Sequence, residues 1–141
     1  MDFSEKARKA LENSNCTCVF CNGDIVLTDN RRGVQPLLDL LKGELDLSAY
    51  SAADKVVGKA AAYLYCLLKV KSLYAAVLSQ PAFEVLNRHG IPVTYGILVP
   101  AIENRTKTGY CPMESAVLNI HTPEEALEVI IKTLERLSSG K

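Results

Sequence analysis

Apolar residues at Phe3, Ala7, Ala10 and Leu11 recur at helical spacing, and Asn13 and Asn15 supply stop signals, so the pattern predicts a short amphipathic helix over residues 3–11. Residues 16–21 (CTCVFC) and 24–29 (DIVLTD) flank Asn22-Gly23, a dipeptide suited to the positive φ angles of a tight turn. They read as a hairpin. A helix is expected from Pro36 to Lys42, then an irregular stretch to about residue 50, then a long helix over 53–69. In that segment Val56, Val57, Ala60, Ala61, Ala62, Leu64, Tyr65, Leu67 and Leu68 occupy nearly every face, the signature of a helix buried on most sides.

Residues 72–78 (SLYAAVL) read as a strand, 81–88 as a helix closed by Gly90 and Pro92, and 93–99 (VTYGILV) as a second strand. Strand, helix and strand at this spacing predict a right-handed crossover with two parallel, central strands. A polar loop from Glu103 to Tyr110 precedes a helix at 112–119. The last amphipathic helix opens at Thr122-Pro123-Glu124-Glu125, with a threonine cap and proline at its first position. No internal repeat, linker or low-complexity segment interrupts the chain, so residues 1–141 are expected to form one domain.

Composition narrows the function classes. Sixteen Lys plus Arg balance sixteen Asp plus Glu, leaving no overall field toward nucleic acid or an anionic membrane. Met1-Asp2-Phe3-Ser4-Glu5-Lys6 lacks the order of a secretory signal, and no apolar run approaches the ~20 residues of a membrane span. Together with five cysteines, an odd number that argues for reduced thiols, this predicts a cytoplasmic protein.

The element order, and the runs DKVVGKAAAYLY (54–65), HGIPVTYGILVP (89–100) and NRTKTGYCPMESAV (104–117), resemble a small uncharacterised prokaryotic family of the cytidine-deaminase-like superfamily. The resemblance implies an α/β fold, a three-layer α/β/α sandwich around a mixed sheet. Active zinc deaminases of that superfamily carry His-x-Glu or Cys-x-Glu at the start of the buried helix and Pro-Cys-x-x-Cys at the next helix. Here the second motif falls on Pro81-Ala82-Phe83-Glu84-Val85 and the first near Asp54-Lys55-Val56, neither with a metal ligand where one is needed. Alanine and valine cannot bind zinc, so no metal or other cofactor is expected and zinc-dependent deamination is excluded.

Several residues remain as candidates. Cys16, Cys18 and Cys21 have metal-like spacing but no nearby histidine; as strand residues, with Cys16 and Cys18 on one face and Cys21 on the other, they are better read as small buried hydrophobes. Cys111 precedes Pro112 at a helix start, where unpaired N–H groups favour the thiolate, and Glu114 is placed either as its acid/base or as a reciprocal cap of the same helix. Asn104, Arg105, Thr106, Lys107, Thr108 and Gly109 offer cations, hydroxyls and a flexible glycine before that helix N-terminus, chemistry that suits a phosphate or carboxylate, or a merely solvated loop. Asp54, Lys55 and Lys59 take a positional interest from the resemblance, while Ser51 and Asp54 also read as a capping pair. Arg31 and Arg32 read as surface residues at a strand end.

These features lead to binding of a small anionic, nucleotide-like or otherwise phosphorylated molecule between the start of the 53–69 helix and the loop before Cys111. One alternative is an enzyme using Cys111 as nucleophile or redox thiol. Another is a non-catalytic structural or interaction protein, with a homodimer as one form. Neither nucleic acid nor membrane is an expected partner.

Overall fold

The computed structural model describes residues 3–31, 33–102 and 111–139. The chain opens with α1 (Ser4–Glu12) and the hairpin β1 (Cys18–Cys21) and β2 (Val26–Asp29). Asn22 donates its N–H to the Ile25 carbonyl at 3.1 Å and its side chain accepts from Ile25 N–H, while Gly23 takes φ +106°, which only glycine adopts without strain. Next come α2 (Gln35–Lys42), β3 (Ser51–Val57), α3 (Lys59–Leu68), β4 (Ser72–Ser79), α4 (Gln80–Arg88), β5 (Val93–Val99), α5 (Pro112–Ala116) and α6 (Pro123–Ser139).

The strands form one mixed sheet in the order β2-β1-β3-β4-β5. Strand β1 runs antiparallel to both β2 and β3, whereas β3, β4 and β5 are mutually parallel. This is the α/β class that the pattern predicted, with two corrections. The expected helix over 53–69 is divided: Ser51–Val57 is a strand, and the helix begins only at Lys59, after Gly58 in an extended conformation. Strand β3, flanked by β1 and β4, buries Ser51, Ala52 and Ala53 in succession and then carries Asp54 and Lys55, so its sequence has no regular alternation that would separate it from a helix. The Ser51–Asp54 capping pair disappears with it; Ser51 Oγ instead accepts from Phe3 N–H at 3.1 Å and from the Ser72 hydroxyl at 3.0 Å. The second correction concerns β5, which lies at the sheet edge rather than centrally.

Helix α1 covers one face of the sheet and the remaining helices the other. Ala52 and Ala53, adjacent on β3, point to opposite sides and enter different cores. Ala53 joins Ala7, Leu11, Cys16, Val19, Cys21 and Tyr74 under α1. Ala52 joins the larger core with Phe20, Leu73, Leu64, Val85 and Ile130, built from α2, α3, α4 and α6. Val57 and Leu78 also enter this larger core, although strict alternation from Ala52 and Ala75 would turn them away. Alternation is therefore interrupted at Lys55, Ala76 and Gly96; the register pairs Asp54 with Ala75 and Ala75 with Tyr95, then resumes at Val56, Val77 and Ile97. Glycine is needed at 96, where a Cβ would stand 2.8 Å from the Ala76 carbonyl oxygen.

Two helix starts are capped by hydroxyl side chains, the second as its sequence predicts. Ser79 Oγ accepts from Ala82 N–H at 3.1 Å to open α4, with Pro81 in its first turn, and Thr122 Oγ1 accepts from Glu125 N–H at 3.2 Å to open α6, with Pro123 directly after it. At α3 the N-cap is Gly58, which has no side chain to do this.

Candidate functional site

The first amides of α3 are met by a residue from elsewhere in the chain. Glu114, on α5, accepts Lys59 N–H through Oε1 at 2.7 Å and Ala60 N–H through Oε2 at 3.1 Å. A carboxylate at this position satisfies two orphan donors and lies against the positive end of the helix. The fit is close: a Cβ on Gly58 would stand 2.5 Å from the Glu114 carboxyl. Burial pushes the Glu114 carboxyl above its usual range, and the two amides and Lys59 pull it partly back.

The surroundings tie α3 to the segment after α5. Lys59 Nζ donates to the Leu118 carbonyl at 3.0 Å and sits 5.9 Å from the centre of the Tyr63 ring. The Tyr63 hydroxyl donates to the Ile120 carbonyl at 2.7 Å. Arg88, in the last turn of α4, reaches the Tyr63 hydroxyl at 3.4 Å and the His121 carbonyl at 3.5 Å. Desolvation lowers the Lys59 pKa, Arg88 adds to that, and Glu114 opposes it.

Asp54 occupies a different place. It sits on β3 opposite Cys18, and its Oδ2 accepts the Tyr65 hydroxyl at 2.6 Å while Oδ1 accepts Val56 N–H at 3.2 Å. Burial raises the Asp54 carboxyl to about 6 despite both hydrogen bonds. The Cys18 thiol is pushed up to about 12, chiefly by burial and then by Asp54, and Tyr65 is raised well above its ordinary value for the same reasons. Near neutral pH the thiol and the phenol therefore keep their protons, while Asp54 gives up its own only above about 6. Four residues of strand, roughly 13 Å, separate Asp54 from Gly58.

Of the predicted site residues, then, the structure brings together Lys59 and Glu114. Asp54 turns inward to Tyr65, and Lys55 is exposed on β3, donating its backbone N–H to Thr17. Cys111 is the N-cap of α5 as expected, half-buried against the larger core. Helix α5 is shorter than predicted, ending at Ala116 rather than 119. Glu114 caps α3 rather than its own helix. Arg105, Lys107, Thr108 and Gly109, with Asn104, Thr106 and Arg32, lie outside the described residues. Cys18 packs in the larger core and Cys16 with Cys21 in the smaller one, which corrects the expected pairing of Cys16 with Cys18 on one face; the three thiols do not converge. Arg31 pairs with Asp29 at 2.7 Å and Asp39 at 2.8 Å. Tyr63, Tyr65 and Arg88 complete these arrangements without having been singled out, and no local spacing marks them.

Surface grooves among the described residues include one of about 390 Å³ between α1 and the sheet, one of about 390 Å³ beside Cys66 and His89, and one of about 180 Å³ between β2 and α2. None of the three is lined by Asp54, Lys59, Cys111 or Glu114. Among the described residues, no group of three or more His, Cys, Asp or Glu is placed to hold a metal, and no helix is long and apolar enough to cross a membrane.

The structure is similar to the crystal structure of a DUF1893 family protein (TM1506) from Thermotoga maritima, with a TM-score of 0.85 and 28% identity over 91% of this chain and 87% of that one. No curated protein matches the chain. The family model described as TM1506, domain of unknown function (DUF1893), matches residues 6–134, and the chain belongs to that family.

Proposed function

We propose that the protein is a non-catalytic member of the cytidine-deaminase-like superfamily that acts by binding a partner, in the cytoplasm. The element order and mixed sheet support the superfamily reading, and five thiols, all free, suit a reducing compartment. The residues where the superfamily holds zinc do not fit that metal. Ala82 and Val85 are buried apolar side chains on α4, and α3 opens with Gly58, Lys59 and Ala60.

The observation that carries the non-catalytic reading is Glu114. Its carboxylate fills the helix start around which the superfamily builds its chemistry, held by two amides at 2.7 and 3.1 Å. An acid engaged in this way is unavailable as a base for Cys111. A second reading is favoured by the same amides, which already cradle an anion: a small phosphorylated or nucleotide-like ligand displaces Glu114, assisted by Lys59 and by Arg105, Lys107, Thr108 and Gly109 from the preceding segment.

Thermal melting of the parent and of Glu114→Gln with millimolar nucleotides and phosphosugars separates the two. A ligand at a hundredfold excess over its Kd adds about 2.7 kcal/mol, roughly 10 °C for a chain of this size. No shift in either protein is the expected result. A shift in the parent that grows in Glu114→Gln and is lost on replacing Lys59 and Lys107 would overturn the non-catalytic reading in favour of the ligand site.

A further inference from the structure

The two edges of the sheet differ. Strand β2 is four residues long and ends in Asp29, which is engaged with Arg31. Short strands and charges are how proteins keep a sheet edge from pairing. Strand β5 has neither protection: its seven residues, VTYGILV, contain no charge and no proline, and positions 94–98 are all exposed.

Apolar surface wraps both faces of this edge. Val57 and Leu78 point into the larger core, so Val56, Val77 and Ile97, paired in one row across three strands, point to the α1 side. Helix α1 packs on β1, β3 and β4 and leaves that row bare, with Val56 48% and Ile97 60% exposed. On the other face Tyr95 meets Phe83 edge to face and is 42% exposed, and Leu98 is 38% exposed. A partner lying on one face would cover half of this surface. A strand added to the edge flanks Tyr95 and Leu98 on one face and Ile97 on the other.

We propose that the partner is a second copy of this chain, joined by antiparallel pairing of β5 with β5 across a two-fold axis. The inference rests on the interaction reading above and names its partner. The break in alternation at Gly96 selects the register. Tyr95 and Leu98 share the helix-covered face, and Thr94, Gly96 and Ile97 the α1 face, so an axis between Gly96 and Ile97 keeps every side chain on its face. Tyr95 then lies beside the partner's Leu98, and Ile97 beside the partner's Gly96. A strand with no charge meets no like charge when it pairs with itself, and aromatic–aliphatic neighbours favour such pairing. Tyr95, Ile97 and Leu98, exposed side by side on one uncharged edge strand, make the kind of apolar surface that marks an interaction site.

The test is the molar mass of the full chain in solution, by light scattering on size exclusion between about 0.1 and 200 µM, a range that brackets a micromolar Kd. The expected mass is twice the 15.4 kDa of one chain. Ile97→Lys, which sets two ammonium groups close together at the axis, is expected to give a monomer with unchanged far-ultraviolet circular dichroism. Ile97→Thr keeps a β-branched residue and is expected to raise Kd at least tenfold, which covers the case in which the lysine variant fails to fold. Ile25→Lys, at the opposite edge, is expected to leave the dimer intact. A parent that is monomeric throughout, or a dimer indifferent to both Ile97 variants, overturns the β5 interface. Neither result touches the non-catalytic reading, which falls only if ligand binding displaces Glu114.

Discussion

The contact between Gly58 and Glu114 makes one residue answer for the identity of another 56 positions away. Adding a methyl group at 58 forces the carboxylate off the α3 amides, because a Cβ there would stand 2.5 Å from it. Gly58→Ala is expected to cost about 2 kcal/mol in urea unfolding, the upper end of losing a helix cap, and Glu114→Ala a similar amount. The double variant should cost little more than either alone, since both remove the same two hydrogen bonds. Full additivity would mean that the seat contributes nothing to α3. Glu114 was legible in the sequence as an acidic residue at the third position of a helix, which points to a cap; that it caps a different helix depends on the tertiary approach of α5 to α3, which no local spacing encodes.

The carboxyl groups also set the pH dependence. Asp54 holds its proton to about 6 in the folded chain against an ordinary value of 3.8, so between these values the folded state binds more protons than the unfolded one. Stability from this group is present below pH 4 and declines as pH rises toward 6 and beyond. Glu114 acts in the same direction. Asp29, Asp39 and Asp46 are lowered, the first two by hydrogen bonds that include Arg31 and the third by Ser48, and their contribution is lost as pH falls below 4. Melting temperature should therefore peak near pH 4 and decline through about pH 6, and Asp54→Asn should flatten that decline. An unaltered profile in that variant would show that Asp54 titrates normally.

At the scale of elements, the informative boundary is the one between β3 and α3. The hairpin, the crossover from β4 through α4 to β5 and the cap of α6 were legible because each carries a local device: a turn glycine, prolines at helix starts, a threonine three residues before a glutamate. Strand β3 carries none, and its alanines favour a helix by intrinsic propensity; pairing with β1 on one side and β4 on the other outweighs that preference. The short α5 and the turn after it depend on a similar outside support. The Tyr63 hydroxyl, Lys59 and Arg88 hold the carbonyls of Ile120, Leu118 and His121, so α3 and α4 fix where α6 begins. Tyr63→Phe is expected to cost about 1 kcal/mol, the worth of one hydrogen bond with a partly buried acceptor. Amide exchange should speed up in residues 117–122 before it does in the sheet; unchanged exchange there would mean that α5 and α6 are placed by apolar packing alone.

For the whole molecule, the sheet is a shared wall between two cores of unequal size. The smaller one, under α1, buries Ala7, Leu11, Val19, Ala53 and Tyr74, and the larger holds the other helices. Neither can lose its wall without exposing the other, because Val19 and Phe20, Ala52 and Ala53, and Leu73 and Tyr74 are adjacent residues on the same strands. Unfolding should thus be a single transition. Leu11→Ala, at a site 2% exposed in the smaller core, removes a buried side chain and is expected to cost about 3 kcal/mol, lowering the midpoint of denaturation while leaving its slope unchanged. If α1 instead released on its own, the variant would show an early, shallow phase with β4 and β5 still protected from exchange, and the bare row at Val56 and Ile97 would then widen into a surface running the length of the sheet.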